Sequence, residues 1–106
     1  MTDDPIEVTV TGPDADWLGG LCRELVESRL CASAHVLAPV RSIYHWEGAV
    51  REAVEARAFL RSRRANLDQI VAFVTARHPY RTPNVTAVAI VGGNPAYLDW
   101  IGRETG

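Results

Sequence analysis

Apolar and polar positions alternate in short runs near both ends of the chain and in one long run through its middle. Ile6-Glu7-Val8-Thr9-Val10 alternates at period two and predicts a first strand, broken by Gly12-Pro13-Asp14. Trp17, Leu18, Leu21, Cys22, Leu25 and Val26 then recur at helical spacing. They predict an amphipathic helix capped by Asp14 or Asp16 and ending near Arg29 or Leu30.

The middle run predicts a hairpin with long arms, residues 32–47 and 50–62, and Trp46-Glu47-Gly48-Ala49 at its tip. Gly48 supplies the positive φ of a tight turn. On the second arm Val54, Ala56, Ala58 and Leu60 share one face, and Glu55, Arg57, Phe59 and Arg61 share the other. About sixteen extended residues reach roughly 50 Å, whereas a domain of about 100 residues has a radius of gyration near 13 Å. Such a hairpin must bend or overhang its domain, and Pro39 marks the place for a bend. An overhang with Tyr44 and Trp46 near its end needs covering, which predicts an oligomer.

Asn66 and Gln69 form a capping-box pattern ahead of Leu67, Ile70, Val71, Phe73 and Val74, a second helix that Pro79 ends. Residues 85–91 read as a compact apolar strand. After Gly92-Gly93, Asn94-Pro95 starts a third helix through Tyr97, Leu98, Trp100 and Ile101, closed by Gly102. The order β-α-β-β-α-β plus a terminal helix is the ferredoxin-like α+β pattern, with strands two and four at the sheet edges. No linker, repeat or low-complexity tract interrupts residues 1–106, which read as one domain.

Charge and composition narrow the function classes. Thirteen acidic and eleven basic residues leave a net charge of −2, and every basic residue is Arg. Arg61, Arg63 and Arg64 are the one basic cluster, without interleaved aromatics, so nucleic acid is not an expected partner. No apolar run approaches the ~18 residues of a membrane span. The acidic start, Met-Thr-Asp-Asp-Pro, is unlike a secretory or transit peptide, and the expected compartment is the cytoplasm. Cys22 and Cys31 lack CxxC spacing and read as reduced thiols, Cys22 as a small buried hydrophobe on its helix stripe.

Strand alternation places Cys31, Ser33 and His35 on one face, where thiolate and imidazole can ligate copper or another divalent cation. Two ligands do not close a site, so others would come from another subunit or a ligand; the bland alternative is an ordinary sheet face. His45 and Glu47 are either a metal or acid–base pair or a solvated tip. His78, at the end of the second helix, suits the negative dipole end as an imidazolium, and is either a site residue or a helix-terminus cap with no catalytic role. The Gly92-Gly93-Asn94-Pro95 helix start could hold an anion, except that Asn94 occupies its free N–H groups. No P-loop, nucleophile elbow, GxGxxG or HExxH occurs, and no enzyme is spelled out.

Four segments carry a resemblance. They are Leu25-Val26-Glu27-Ser28-Arg29-Leu30-Cys31-Ala32, Ser42-Ile43-Tyr44-His45-Trp46-Glu47-Gly48, His78-Pro79-Tyr80 with Pro83, and Asn94-Pro95-Ala96-Tyr97-Leu98-Asp99-Trp100-Ile101. In this order, over nearly the whole chain, they resemble the divalent-cation tolerance protein family CutA. The resemblance implies a ferredoxin-like subunit in a homotrimer with interlocked hairpins, similar to PII signalling proteins. It implies a role in tolerance of copper and other divalent cations, by binding metal or a metal-linked ligand, and no established enzyme activity. The implied ligand site is an inter-subunit cleft gathering Tyr44, Trp46, Glu47, His78, Tyr80, Tyr97 and Trp100. A PII-like regulatory or scaffold trimer acting through an unknown protein partner is the alternative, and a hydrolytic or transfer enzyme at the same cleft is a third. The chain departs from the family pattern in one segment: Ser33 stands at the family's Cys, His35 at its Asn and Cys31 at an Ala. Arg61 stands at its Lys near the end of strand three, which keeps charge but changes donor geometry.

Overall fold

The computed structural model describes residues 4–106; Met1, Thr2 and Asp3, most of the acidic start, lie outside the described residues. β1 (Pro5–Gly12) pairs antiparallel with β3 (Ala49–Arg63) on one side and β4 (Val85–Ala89) on the other. β2 (Ser33–Trp46) pairs with the far side of β3, so the order is β2-β3-β1-β4 and the edges are the two strands expected there. α1 (Ala15–Glu27) and α2 (Leu67–Arg77) pack on one face of this sheet. Leu18, Leu21 and Leu25 of α1 and Ile70 and Val74 of α2 meet Val8, Val10, Ala56, Ala58 and Leu60 in one core. The result is the ferredoxin-like α+β fold that the alternating and helical periods predict.

The hairpin does overhang. β1 stops at Gly12, opposite Ala56, so residues 49–55 of β3 pair with β2 alone. That free length is roughly 23 Å at strand rise, and the long axis of the molecule is 46 Å against 25 and 23 Å across. The apolar parity of β3 continues past the core into solvent: Val54 is 71% exposed and Val50 63%, beside Ile43 of β2 at 60%. A two-residue loop, Glu47-Gly48, joins Trp46 to its partner Ala49. Both loop residues take positive φ, 49° and 79°, as a type I′ hairpin turn requires.

Pro39 lies in a register shift between Leu37 and Val40. Below it the odd residues of β2 share the open face of the sheet: Ser33, His35 and Leu37 pair with Arg61, Phe59 and Arg57. Above it the parity inverts, and Val40, Ser42 and Tyr44 pair with Glu55, Ala53 and Arg51 on that same face. One extra residue re-aims the whole upper arm, because side chains alternate at period two.

Helix ends differ from expectation in three places. α1 stops at Glu27, since Ser28 caps it and Arg29 turns left-handed at φ 65°. The Arg29 guanidinium instead reaches the chain's end, donating to the carbonyl of Arg103 at 2.6 Å. Asn66 makes no side-chain cap to α2. It closes a short 3-10 turn (Arg64–Asn66), and its buried amide donates to the carbonyls of Leu30 and Thr105, each at 3.2 Å. The capping-box reading fails because a buried amide with two tertiary acceptors gains more than a solvent-facing cap. Finally, α3 (Pro95–Glu104) runs past Gly102; the Thr105 hydroxyl donates back to Ile101 at 2.7 Å and closes the helix there.

Candidate functional site

Where the hairpin leaves the body, the chain after α2 folds back against it. His78 caps α2, and its ring fixes the turn that follows. Nε2 lies 2.7 Å from the carbonyl oxygen of Thr11, and Nδ1 lies 3.1 Å from the backbone nitrogen of Tyr80. A carbonyl only accepts and a backbone N–H only donates, so Nε2 donates to Thr11 and Nδ1 accepts from Tyr80. His78 thus stands at the end of α2 as its C-cap. Trp17 packs edge-on to the His78 ring at 4.7 Å, and Tyr80 tilts against the same ring at 4.6 Å. Gly12 permits this stack, since a Cβ there would lie 2.9 Å from two Trp17 ring carbons.

The segment so held is pinned to the hairpin twice. The Tyr80 phenol donates to Glu55 at 2.8 Å, and the Arg81 guanidinium lies over the Trp46 ring at 5.1 Å from its centroid. Between the two elements is a cleft of about 700 Å³. Tyr44, Trp46, Ser42 and Ala53 line its hairpin side, with Glu55 and Arg57 of β3 below. Tyr80, Arg81, Thr82 and Asn84 close the other side, and Thr11 lies at the base. Burial, the hydrogen bond to Glu55 and its negative charge together push the Tyr80 phenol up to about 12.

Three of the seven residues expected to gather, Tyr44, Trp46 and Tyr80, line this cleft within one chain. His78 supports it from behind without lining it. Glu47 sits exposed in the hairpin turn, outside the lining. Tyr97 and Trp100 pair with each other on α3, ring centroids 5.5 Å apart, and do not line the cleft of their own chain. Glu55, Arg57 and Arg81 are lining residues that the sequence reading did not place in the site. The open face that Glu55 and Arg57 share with Tyr44 depends on the register shift at Pro39, which periodicity alone does not show.

The structure does not bring Cys31 and His35 together. Cys31 precedes β2, so strand alternation does not govern it; it is buried in the core under α1, whereas His35 is exposed on β2 opposite Phe59. Burial pushes the Cys31 thiol up to about 12, with a smaller push from neighbouring Cys22, and Cys22 itself up to about 11. A thiol so placed resists becoming the thiolate that a metal needs. Among the described residues, no three His, Cys, Asp or Glu side chains group to hold a metal ion. The cleft's donor set is one carboxylate, already engaged by Tyr80, with two guanidiniums; it does not fit a resident divalent cation.

Residues 6–104 match the family described as CutA1 divalent ion tolerance protein. The divalent-cation tolerance protein CutA of Thermus thermophilus is 33% identical over 99 residues, covering 93% of this chain and 96% of that one. The chloroplastic protein CutA of Arabidopsis thaliana is 32% identical over 100 residues, covering 94% of this chain; the chain spans 55% of that relative's length. The crystal structure of CutA1 from Oryza sativa superposes with a TM-score of 0.95 at 32% identity, covering 99% of this chain and 96% of that chain.

Proposed function

This chain belongs to the CutA1 divalent ion tolerance family, and from that premise we propose that it acts in divalent-metal (copper) tolerance as a homotrimer. Its subunits meet through the β2–β3 hairpin, and each cleft beside the hairpin binds a metal-linked small ligand. The observation that carries this reading is the overhang: Val50, Val54 and Ile43 leave an apolar surface in solvent on a two-stranded arm. Two-stranded arms are marginal alone, and a partner surface that buries these residues stabilises them. Assembly also offers a place for Tyr97 and Trp100, which would complete a neighbouring chain's cleft.

The reading is of a binding protein, since the Tyr80 phenol that meets the Glu55 carboxylate in the cleft is pushed up to about 12, away from the phenolate a nucleophile needs. Among the described residues, no helix is long and apolar enough to cross a membrane. The buried, unpaired thiols suit a reducing compartment, and the cytoplasm is the one we assign. A PII-like regulatory trimer working through a protein partner is the second reading. It is favoured by the cleft's lack of a metal-ligand set, which makes any metal effect indirect.

The test is survival under copper. A host lacking its own member of the family is complemented with the wild-type chain or with Val50→Asp/Val54→Asp, which charges the arm. The wild type should restore growth and the variant should not. Full rescue by a variant shown to be monomeric would refute the trimer's role in tolerance.

A further inference from the structure

We propose that the cleft binds a small organic oxyanion, a carboxylate or phosphate, through Arg57 and Arg81, and not a bare divalent cation. This rests on the reading of the hairpin cleft as a ligand site and names what the site takes. Arg57 projects from the open face of β3, across from Thr11 of β1. Its Nε is buried without a hydrogen-bond partner, and its guanidinium carbon lies 5.4 Å from the centroid of the Phe59 ring. No Arg57 donor meets a protein acceptor among the described residues, so an oxyanion that reaches the cleft edge of the guanidinium would meet a cation not committed to any protein group.

Arg81 stands on the opposite wall over Trp46, and like Arg57 it forms no ion pair among the described residues. Glu55 is the one acidic residue in the lining, and its carboxylate accepts the Tyr80 proton donor. The lining therefore carries two positive charges against one negative. Guanidinium presents planar, forked donors that match a carboxylate or phosphate edge. The Ser42 and Thr82 hydroxyls and the Asn84 amide add neutral hydrogen-bonding groups, while Tyr44 and Trp46 offer apolar walls to the ligand's body. A cavity of about 700 Å³ is sized for such a molecule rather than for an ion. A bare cation would meet two like charges there with no imidazole or thiol in the lining. Metal reaches such a site as the cargo of an anionic chelator, whose surplus negative charge the two guanidiniums read.

The experiment is calorimetric titration of the purified protein with citrate, with pyrophosphate and with Cu(II), its oligomeric mass measured on the same samples. One of the two anions should bind saturably, one per subunit, and weaken with added salt. Which anion binds tells carboxylate from phosphate. Arg57→Gln and Arg81→Gln should each weaken that binding by at least about tenfold, and Arg57→Lys should recover part of it. Anion affinity unchanged in both Gln variants overturns the proposal. So does tight Cu(II) binding lost in Glu55→Gln with neither anion bound; that result leaves a ligand cleft standing with the wrong ligand class. A protein that binds none of the three overturns both this inference and the ligand site it rests on.

Discussion

The Tyr80 phenol donates to the Glu55 carboxylate at 2.8 Å, tying the segment after α2 to the point where the hairpin leaves the sheet. Burial first, then this bond and the Glu55 charge, raise the phenol above its ordinary value near 10, to about 12. As pH rises, the unfolded chain loses the Tyr80 proton first. The contact's contribution is complete below about pH 10 and disappears as pH climbs through about 12. Ultraviolet titration of the native protein should show one phenol ionising well above the others. Glu55→Gln should bring it back toward the ordinary range. A late phenol that survives Glu55→Gln would mean that burial alone holds it.

Asn66 joins three parts of the chain that are distant in sequence: its amide spans the Leu30 and Thr105 carbonyls. The Ser62 hydroxyl also donates to Leu30, at 2.6 Å, and Arg63 to Thr105, at 3.0 Å. Asn66→Ala removes two buried bonds and should cost about 1–3 kcal/mol in chemical denaturation. Asn66→Asp, an improved helix cap by type, should be no better, because a carboxylate would face two carbonyls. A stabilised Asn66→Asp would restore the capping role that the side chain lacks here.

The two buried thiols should be inert. Pushed up to about 11 and 12, Cys22 and Cys31 should react with a thiol reagent at pH 8 only at the rate of local or global opening, and promptly in denaturant. Cys31→Ser should leave copper binding unchanged while lowering stability by about 1–3 kcal/mol, through a hydroxyl placed in the apolar core. Rapid native labelling of Cys31 would contradict its placement under α1.

Much of this architecture is legible in the residues themselves. The apolar stripe of α1, the alternation of β1 and the Asn94 cap with Pro95 behind it are local signals, and each appears where expected, down to the 3.1 Å bond from the Ala96 amide to Asn94. The overhang follows from length alone. Three things were not legible. The parity inversion at Pro39 depends on a register shift set by pairing with β3, so the open-face partnership of Tyr44 with Arg57 does not follow from period two. Cys31 lies two residues before β2 begins, so a strand's alternation does not extend to it. Arg81 faces Glu55 across the cleft where the chain turns back after His78, whose ring makes two hydrogen bonds at the turn, a tertiary event that no local pattern reports.

The most direct measurement is sedimentation equilibrium of the wild-type protein and of Val50→Asp/Val54→Asp at micromolar concentration. The wild type should sediment at three times the 11.6 kDa chain mass. The double variant should fall to the single-chain mass with its folded circular dichroism retained, since its two new charges sit where a partner would desolvate them. A wild type at single-chain mass, or a double variant still at three chain masses, would contradict assembly through the hairpin.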